Sequence, residues 1–509
     1  MLMSPIRRCL AGLGVAGVLV VASATPALAA PTANLDLYVQ DATVAPDSPG
    51  TSRGLRIYTD RSTVLPDVTV RYDYRSLAGR VTLTGGGGNA ECAAPEPGVL
   101  VCAEESDIPV DEIYGGGTQP VRIVVTDKAE PGDAGDLKVS LQVAGKDRGS
   151  YTSGLRVGEG VDLAGGPDST LAAKPGGKFE APLTVVNVGT KAVEGVVAVF
   201  DLDHSIRTRD RFSNCLYAED HLIACQFDEE IPAGEGRTTT LDFHLGTDTY
   251  APSNQYGNAV FMTNGDFEDL FGQREDAGAL ATTRGGGPKL TLADAPTKTA
   301  RAAQTDTEPG NNYTSWSIRV SGTNGTDLQA IGDTVKGEAG AVVTATVGFR
   351  NNGPATLDRV NNDHEAATHT GVELPPGTTA VGFPDNCWLR YGSTRTYLCS
   401  SDMLLVVGET YTLEFRLRID KIVPDARGVV QVNAECECPA GGSFQDDIKP
   451  ANDKAWLVVN AAGSGGGGGG SLPITGSATG LIGGIGGLLL VAGIGGYLVA
   501  RRRRTHFVA

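Results

Sequence analysis

The cysteines are the residues of this 509-residue chain most plainly equipped for chemistry. Setting aside Cys9 near the N-terminus, eight remain, an even number: Cys92/Cys102, Cys215/Cys225, Cys387/Cys399 and Cys436/Cys438. The first three pairs are 10, 10 and 12 residues apart. That spacing suits a disulfide closing a hairpin, and in the chain-entropy picture so short a loop adds about 2–3 kcal/mol. Metal binding is the rival reading. It calls for C-x₂-C pairs or accompanying histidines, which these pairs lack. Cys436 and Cys438 share one face of a strand. Bridging residues i and i+2 is strained, so two readings stay open: bonded to each other, or both reduced.

Other polar groupings invite catalysis and do not meet its spacing. His364-Glu365-Ala366-Ala367-Thr368-His369 resembles a zinc-protease motif with one residue too many. The second histidine falls about 140° round a helix from the first, so the stretch reads as a polar loop. Asp201, Asp203, His204 and His221 hold carboxylate and imidazole groups without a D-x-D-x-D-G loop. They read as a solvated loop, with Ca²⁺ at a domain junction as the alternative. Asp266, Glu268 and Asp269 form an acidic cluster, expected to be an exposed loop. No G-x-S-x-G elbow occurs. Cys225-Gln226 could suggest a thioester, but Cys225 already has Cys215 as its repeat partner. Trp316 and Trp456 recur at matching places and are expected to pack in cores, and Trp388 to pack on the disulfide beside it. No catalytic constellation stands out. The expectation is a non-enzyme that needs no cofactor or metal.

The elements that must hold these residues are strands. Val121–Val125, Leu183–Val186, Val342–Val347 and Tyr411–Ile419 are short apolar or alternating runs between turn signals, the pattern of half-buried strands. No long amphipathic helix is expected between residues 30 and 460. A diverged repeat is visible. Each unit opens on an Asp-Leu pair (Asp36-Leu37, Asp162-Leu163, Asp327-Leu328), and a close cysteine pair follows some 53–60 residues later. Units two and three also end alike: Pro309-Gly310-Asn311-Asn312 precedes Trp316, and Pro450-Ala451-Asn452-Asp453 precedes Trp456, with Asn312 and Asn452 each four residues before the tryptophan. The stretch from about Arg284 to Glu308 reads as a long polar loop.

Unit three resembles the immunoglobulin-like repeat found in tandem on bacterial surface proteins. The resemblance rests on Asn351-Asn352-Gly353-Pro354, Leu374-Pro375-Pro376-Gly377, the Cys387/Cys399 pair, Gly408-Glu409 and the Asn452 ending. Unit two matches through Asn187-Val188-Gly189 and Pro232-Ala233-Gly234. Unit one keeps the cysteines and lacks the Asn-Gly and terminal Asn motifs. The resemblance implies an all-β fold of three tandem immunoglobulin-like β-sandwich domains, at 30–157, 158–321 and 322–460.

The two ends of the chain carry addresses. Arg7 and Arg8, the apolar run Cys9–Ala22 and Ala27-Leu28-Ala29 have the form of a secretory signal peptide, 1–29. At the other end a glycine-rich spacer, 461–471, leads to Leu472-Pro473-Ile474-Thr475-Gly476. Residues 477–500 follow, 24 residues without a charge. As a helix they span about 36 Å, enough for a bilayer core of about 30 Å. Arg501, Arg502, Arg503 and Arg504 then open a basic cytoplasmic tail, 501–509, in accord with the positive-inside rule. Pentapeptide, transmembrane sorting helix and basic stop together resemble the cell-wall sorting signal of Gram-positive surface proteins, actinobacterial in look. The resemblance covers the last tenth of the chain. It implies a sortase as partner, covalent linkage to peptidoglycan through Thr475, and membrane contact only during sorting. Losing both ends removes six arginines and no acid, which takes the net charge from −18 to −24. Such acidity argues against nucleic acid as a partner. The expected location is secreted and wall-anchored on the extracellular face, as a stalk or display module. The alternatives are an adhesin for an unknown surface ligand and, more remotely, a wall-bound hydrolase.

Overall fold

The computed structural model describes residues 33–460, apart from 47, 88–89, 113, 273–281, 294–302, 361–364, 437–443 and 445. The expected signal peptide, spacer, sorting motif, transmembrane helix and basic tail therefore lie outside the described residues. Among the described residues no helix is long and apolar enough to cross a membrane. The chain within them is all-β.

Alternation builds the strands. In Thr410–Ile419 the side chains of Leu413, Phe415, Leu417 and Ile419 are buried while Glu414, Arg416 and Arg418 face out. The two-residue period of a strand demands this when one face meets a core. The hydrogen-bonded sheets fall into three sets with separate cores.

In the second set, Leu163–Gly165, Lys178–Asn187, Gly236–Leu245 and Ile206–Thr208 form one sheet in that spatial order. Its inward residues, among them Leu183, Leu241 and Phe243, pack on Phe200, Phe227, Phe261 and Trp316 of a seven-stranded sheet. The third set repeats the plan. Thr326–Ile331, Val342–Pro354, Thr410–Ile419 and Thr378–Gly382 form one sheet, and a six-stranded sheet stands opposite. In the first set a six-stranded sheet is accompanied by two separate three-stranded pieces. Its smaller layer is thus divided.

One connection recurs in all three. The chain pairs antiparallel in one layer and then crosses to run parallel to the last strand of the other. Ala42–Val44 lies along Lys146–Val157, Ser169–Ala173 along Tyr313–Asn324, and Asp333–Val335 along Lys454–Val459. The Tyr313–Asn324 strand carries the second set past residue 321, where the sequence suggested a boundary; the next strand begins at Thr326.

The Asn-x-Gly motifs find their physical reason here. Asn187 is fully buried and its amide donates to the carbonyls of Lys191 and Ile231, both at 2.8 Å. Asn351 does the same to Ala355 and Leu405, at 3.0 and 2.9 Å. Each stitches a turn to the neighbouring loop. The backbone N–H of Gly234 or Gly408, at φ +75° and +87°, donates to the carbonyl of that asparagine.

Two expectations are overturned. The Arg284–Glu308 stretch is not simply a polar loop: Leu290 and Leu292 are buried in the second core, and Gln304–Asp306 is a strand parallel to Glu159–Val161. Trp456 is not a core residue. It is 56% exposed and lies under the Arg427 guanidinium, 5.7 Å from the ring centre. Trp316, by contrast, is 2% exposed. Counted from Pro309 and Pro450, the counterpart of Trp316 is Leu457, and Ser169↔Trp316 matches Asp333↔Leu457 in the parallel ladders. A slip of one residue turns a side chain to the opposite face.

Candidate functional site

Each of the three spaced cysteine pairs is a disulfide: Cys92–Cys102, Cys215–Cys225 and Cys387–Cys399. In every case the two residues stand directly opposite each other across an antiparallel hairpin, with Cα atoms 4.0 Å apart. Cys436 is also disulfide-bonded, and Cys438 lies outside the described residues. The Cys225 bond removes the thiol a thioester would need. Trp388 sits on the strand face opposite Cys387, edge-on to the His369 ring at 6.2 Å and 42% exposed. Strand alternation takes it off the disulfide. His364 lies outside the described residues; His369 begins a strand, so no helix carries the two.

Of the acidic cluster expected to be an exposed loop, Glu268 is exposed, while Asp266 is half-buried and Asp269 buried between the first and second sets. The chain turns helically over Asn264–Phe267 and continues, more widely wound, over Glu268–Gly272. Asp269, 3% exposed, receives the Arg156 guanidinium of the first set. Burial pushes its carboxyl up, while the charges of Arg156 and Arg53 and the Thr43 hydroxyl pull it back. Asp266 accepts from Thr305 Oγ1 at 2.6 Å, Thr263 Oγ1 at 2.8 Å and Asp306 N at 2.9 Å. Burial raises its carboxyl too, against those donors. The sequence places these acids in a polar run, but their cations come from a distant part of the chain. A cleft of about 170 Å³ opens beside them, with Thr43, Ser48, Arg53, Asp266, Asp306 and Asn312 in its wall.

Asp201, Asp203, His204 and His221 lie where the second set meets the third. Asp203 Oδ2 accepts from Tyr256 N at 2.6 Å, and the two imidazoles are 5.4 Å apart. His204 N donates to Asp358 Oδ2 of the third set at 2.9 Å. Thr356 closes the same junction, donating from N to Asp248 O (2.7 Å) and from Oγ1 to Asp248 Oδ2 (2.8 Å). These residues work here as a seam. Among the described residues no group of three or more His, Cys, Asp and Glu side chains is gathered as a metal centre.

A feature the sequence reading divided in two joins the start and end of the second and third sets. Asp306 Oδ2 accepts from Leu163 N at 2.7 Å, its Oδ1 accepts from Glu308 N at 2.8 Å, and Asn311 Nδ2 donates to Asp162 Oδ1 at 3.3 Å. In the third set Asp447 accepts from Leu328 N and Lys449 N, both at 2.7 Å, and Asn452 Nδ2 donates to Asp327 Oδ1 at 2.8 Å. Burial, reinforced by the neighbouring Asp162 charge, pushes Asp306 up to about 6 despite its amide donors. The Asp-Leu openers and the Pro-x-Asn endings are therefore two halves of one clasp. The signal was their joint recurrence in units two and three.

No protein-family model matches the chain, and no curated protein matches it. Among solved structures it is similar to an I-band fragment, I67–I69, of titin at 8% identity, covering 84% of this chain and 98% of that one, with a TM-score of 0.15. A second likeness is to Escherichia coli alpha-2-macroglobulin activated by porcine elastase, at 10% identity and a TM-score of 0.16. There the match covers 84% of this chain and only 33% of the other. The all-β architecture stands on the sheets described above, and neither likeness bears on what the chain does.

Proposed function

We propose that the chain is a secreted surface protein joined covalently to peptidoglycan, displaying three immunoglobulin-like sandwich domains as a stalk. The observation that carries this is the ordered C-terminal series: Leu472-Pro473-Ile474-Thr475-Gly476, an uncharged membrane-length run and four arginines. Disulfides in all three sheet sets support an oxidising exterior. The chain is then a substrate and no enzyme. A sortase thiolate attacks the Thr475 carbonyl, and the Thr475–Gly476 amide breaks, leaving its amine on the membrane-held tail. A peptidoglycan-precursor amine attacks the resulting thioester, forming a new amide and freeing the thiolate. The test is fractionation of cells carrying Thr475→Ala. The protein should move from the muramidase-released wall fraction to membrane or medium; unchanged wall linkage would sink the reading.

A second reading, an adhesin, is favoured by one surface. On the Cys387–Cys399 hairpin Tyr391 is 94% exposed, with Trp388 and Leu389 also exposed beside it. Aromatic side chains in the open suit contact with a glycan or another protein. Binding to glycan arrays or cells that falls with Tyr391→Ala supports this reading; equal binding by the variant removes it.

A further inference from the structure

We propose that the outward face of the third set's six-stranded sheet binds an acidic polysaccharide, with Trp388 and Trp456 as stacking platforms and Arg390 and Lys454 as partners for its carboxylates. The inference is independent of how the chain is anchored. It rests on the adhesin reading, and gives that surface an extent and a ligand. Alternation decides which side chains share the face. Cys387, Val430 and Leu457 are buried in the third core. Trp388, Val429 and Trp456, one residue away on the same strands, therefore point outward. The two tryptophans are 42% and 56% exposed. They stand on Cys387–Leu389 and Lys454–Val459, with three strands between them. Four spacings of about 4.8 Å set them about 19 Å apart. No single sugar ring reaches both, so the ligand is a chain of rings laid across the strands.

What lies between the tryptophans favours a sugar over a protein partner. A protein interface has a continuous apolar core. Here Leu398, the outward residue paired with Trp388, is only 4% exposed, and half-buried Gln431 and Thr396 offer hydrogen-bonding groups instead. An indole accepts the apolar side of a sugar ring while the hydroxyls stay within reach of such groups. The charge on the face selects an acidic chain. Register places Gln431 opposite Lys454. Arg390 N donates to Thr396 O at 2.9 Å, which continues the hairpin and puts Arg390 on the Trp388 side. Neither Arg390 nor Lys454 has an ion pair among the described residues. Asp453 beside Lys454 is turned to the Asn433 amide, at 3.1 Å. Glu373, the one acid among the outward residues of these strands, is held by Arg395. Asp425 is held by Arg427, whose guanidinium sits over Trp456. Two cations thus stand uncompensated on a chain of net charge −18, against the sign of a protein that otherwise repels polyanions. A uronate chain brings the carboxylates they lack, and a guanidinium can hold one through two parallel hydrogen bonds.

The experiment measures binding of the full chain to polygalacturonate and to its methyl ester, the same polymer without its charge. The parent should bind the acid, lose affinity as salt rises, and bind the ester about tenfold more weakly or less still. Trp388→Ala and Trp456→Ala should each weaken binding about tenfold. Trp456→Tyr keeps a ring and should lose far less. Arg390→Gln should lower both the affinity and its dependence on salt. Trp456 is exposed, so its variants should melt with the parent, and the binding loss then reads the contact alone. Tyr391→Ala tests the adhesin reading; Trp456→Ala tests this one. If binding to cells or other glycans falls with Tyr391→Ala but polygalacturonate does not bind, or Trp456→Ala binds it like the parent, the face is overturned and the adhesin reading stands. Equal affinity for acid and ester would overturn the acidic ligand. A parent that binds no cell and no glycan would remove both readings.

Discussion

At the scale of single residues, the two recurrent tryptophans separate packing from position. Trp316 lies between Phe200 and Phe243, with ring centres 6.4 and 6.2 Å away, and its Nε1 donates to Pro182 O at 2.9 Å. Trp316→Ala should cost about 3–5 kcal/mol. Trp456→Ala loses one exposed cation–π contact and should cost less than about 1 kcal/mol. Equal urea midpoints for the two variants would refute the one-residue offset. Either tryptophan is legible as an aromatic in a strand, but the face it takes depends on the turn residues before it. The four-residue spacing from asparagine misleads, and counting from Pro309 and Pro450 succeeds. His221 gives a pH prediction. Burial holds its imidazole below the ordinary 6.5, with His204 and Arg207 assisting and Asp220 opposing. As pH falls below 6.5 the unfolded chain takes up that proton first, so stability is lost on acidification. Asp306, raised to about 6, works the other way below that pH: the folded state holds its proton more firmly. His221→Gln should therefore lose less stability than the parent between about pH 7.5 and 5.5. Parallel slopes for variant and parent in urea unfolding would contradict this.

At the scale of elements, the cysteine hairpins show how far local spacing reaches. A separation of 10 or 12 positions between cysteines, interrupted by turn formers, allows a hairpin, and three such hairpins exist with the cysteines in register. Each stands at or next to an edge of the larger sheet of its set, where unpaired strands fray and recruit other chains. Losing one disulfide should cost about 2–3 kcal/mol through the loop entropy it restores. The order of loss is also predictable. Cys215 and Cys225 are fully buried, Cys387 and Cys399 nearly so, while Cys92 is only half-buried. Under native conditions a thiol reductant should open Cys92–Cys102 first, as read by alkylation and mass spectrometry. First opening of Cys215–Cys225 would mean that the second core breathes more than its burial implies. Strands and hairpins were legible because each is decided by residues close in sequence; the Asn-x-Gly turns showed as motifs, but the carbonyls they stitch to at Ile231 and Leu405 lie 44 and 54 residues away. The divided small layer of the first set was not, since nothing within Leu35–Val125 marks which strand leaves which layer.

At the scale of the whole molecule, the seams between sheet sets are what local sequence conceals. Arg156 meets Asp269 across 113 residues of chain, and His204 meets Asp358 across 154. Read locally, Asp266 and Asp269 belong to a polar run and ought to be solvated. In the fold Asp269 is sealed against the first set because a cation from Lys146–Val157 waits there. The pair is one-sided: the Asp269 side chain is 1% exposed and that of Arg156 32%. Its attraction is therefore less open to salt than a surface pair's. A chain of net charge −18 tends to drive its parts apart, so a seam closed by opposite charges holds their orientation where like charges would open it. Asp269→Ala should cost the seam about 1.5–3 kcal/mol, the range for hydrogen bonds to charged groups. Faster amide exchange should follow in 264–270 and around Arg156, with a larger radius of gyration in solution scattering and no loss of protection in Lys178–Asn187 or Gly236–Leu245. Added salt should leave the parent's scattering nearly unchanged. If the variant scatters and exchanges like the parent, the first and second sets are held by their apolar contacts alone, and the Arg156–Asp269 pair is a passenger at the seam.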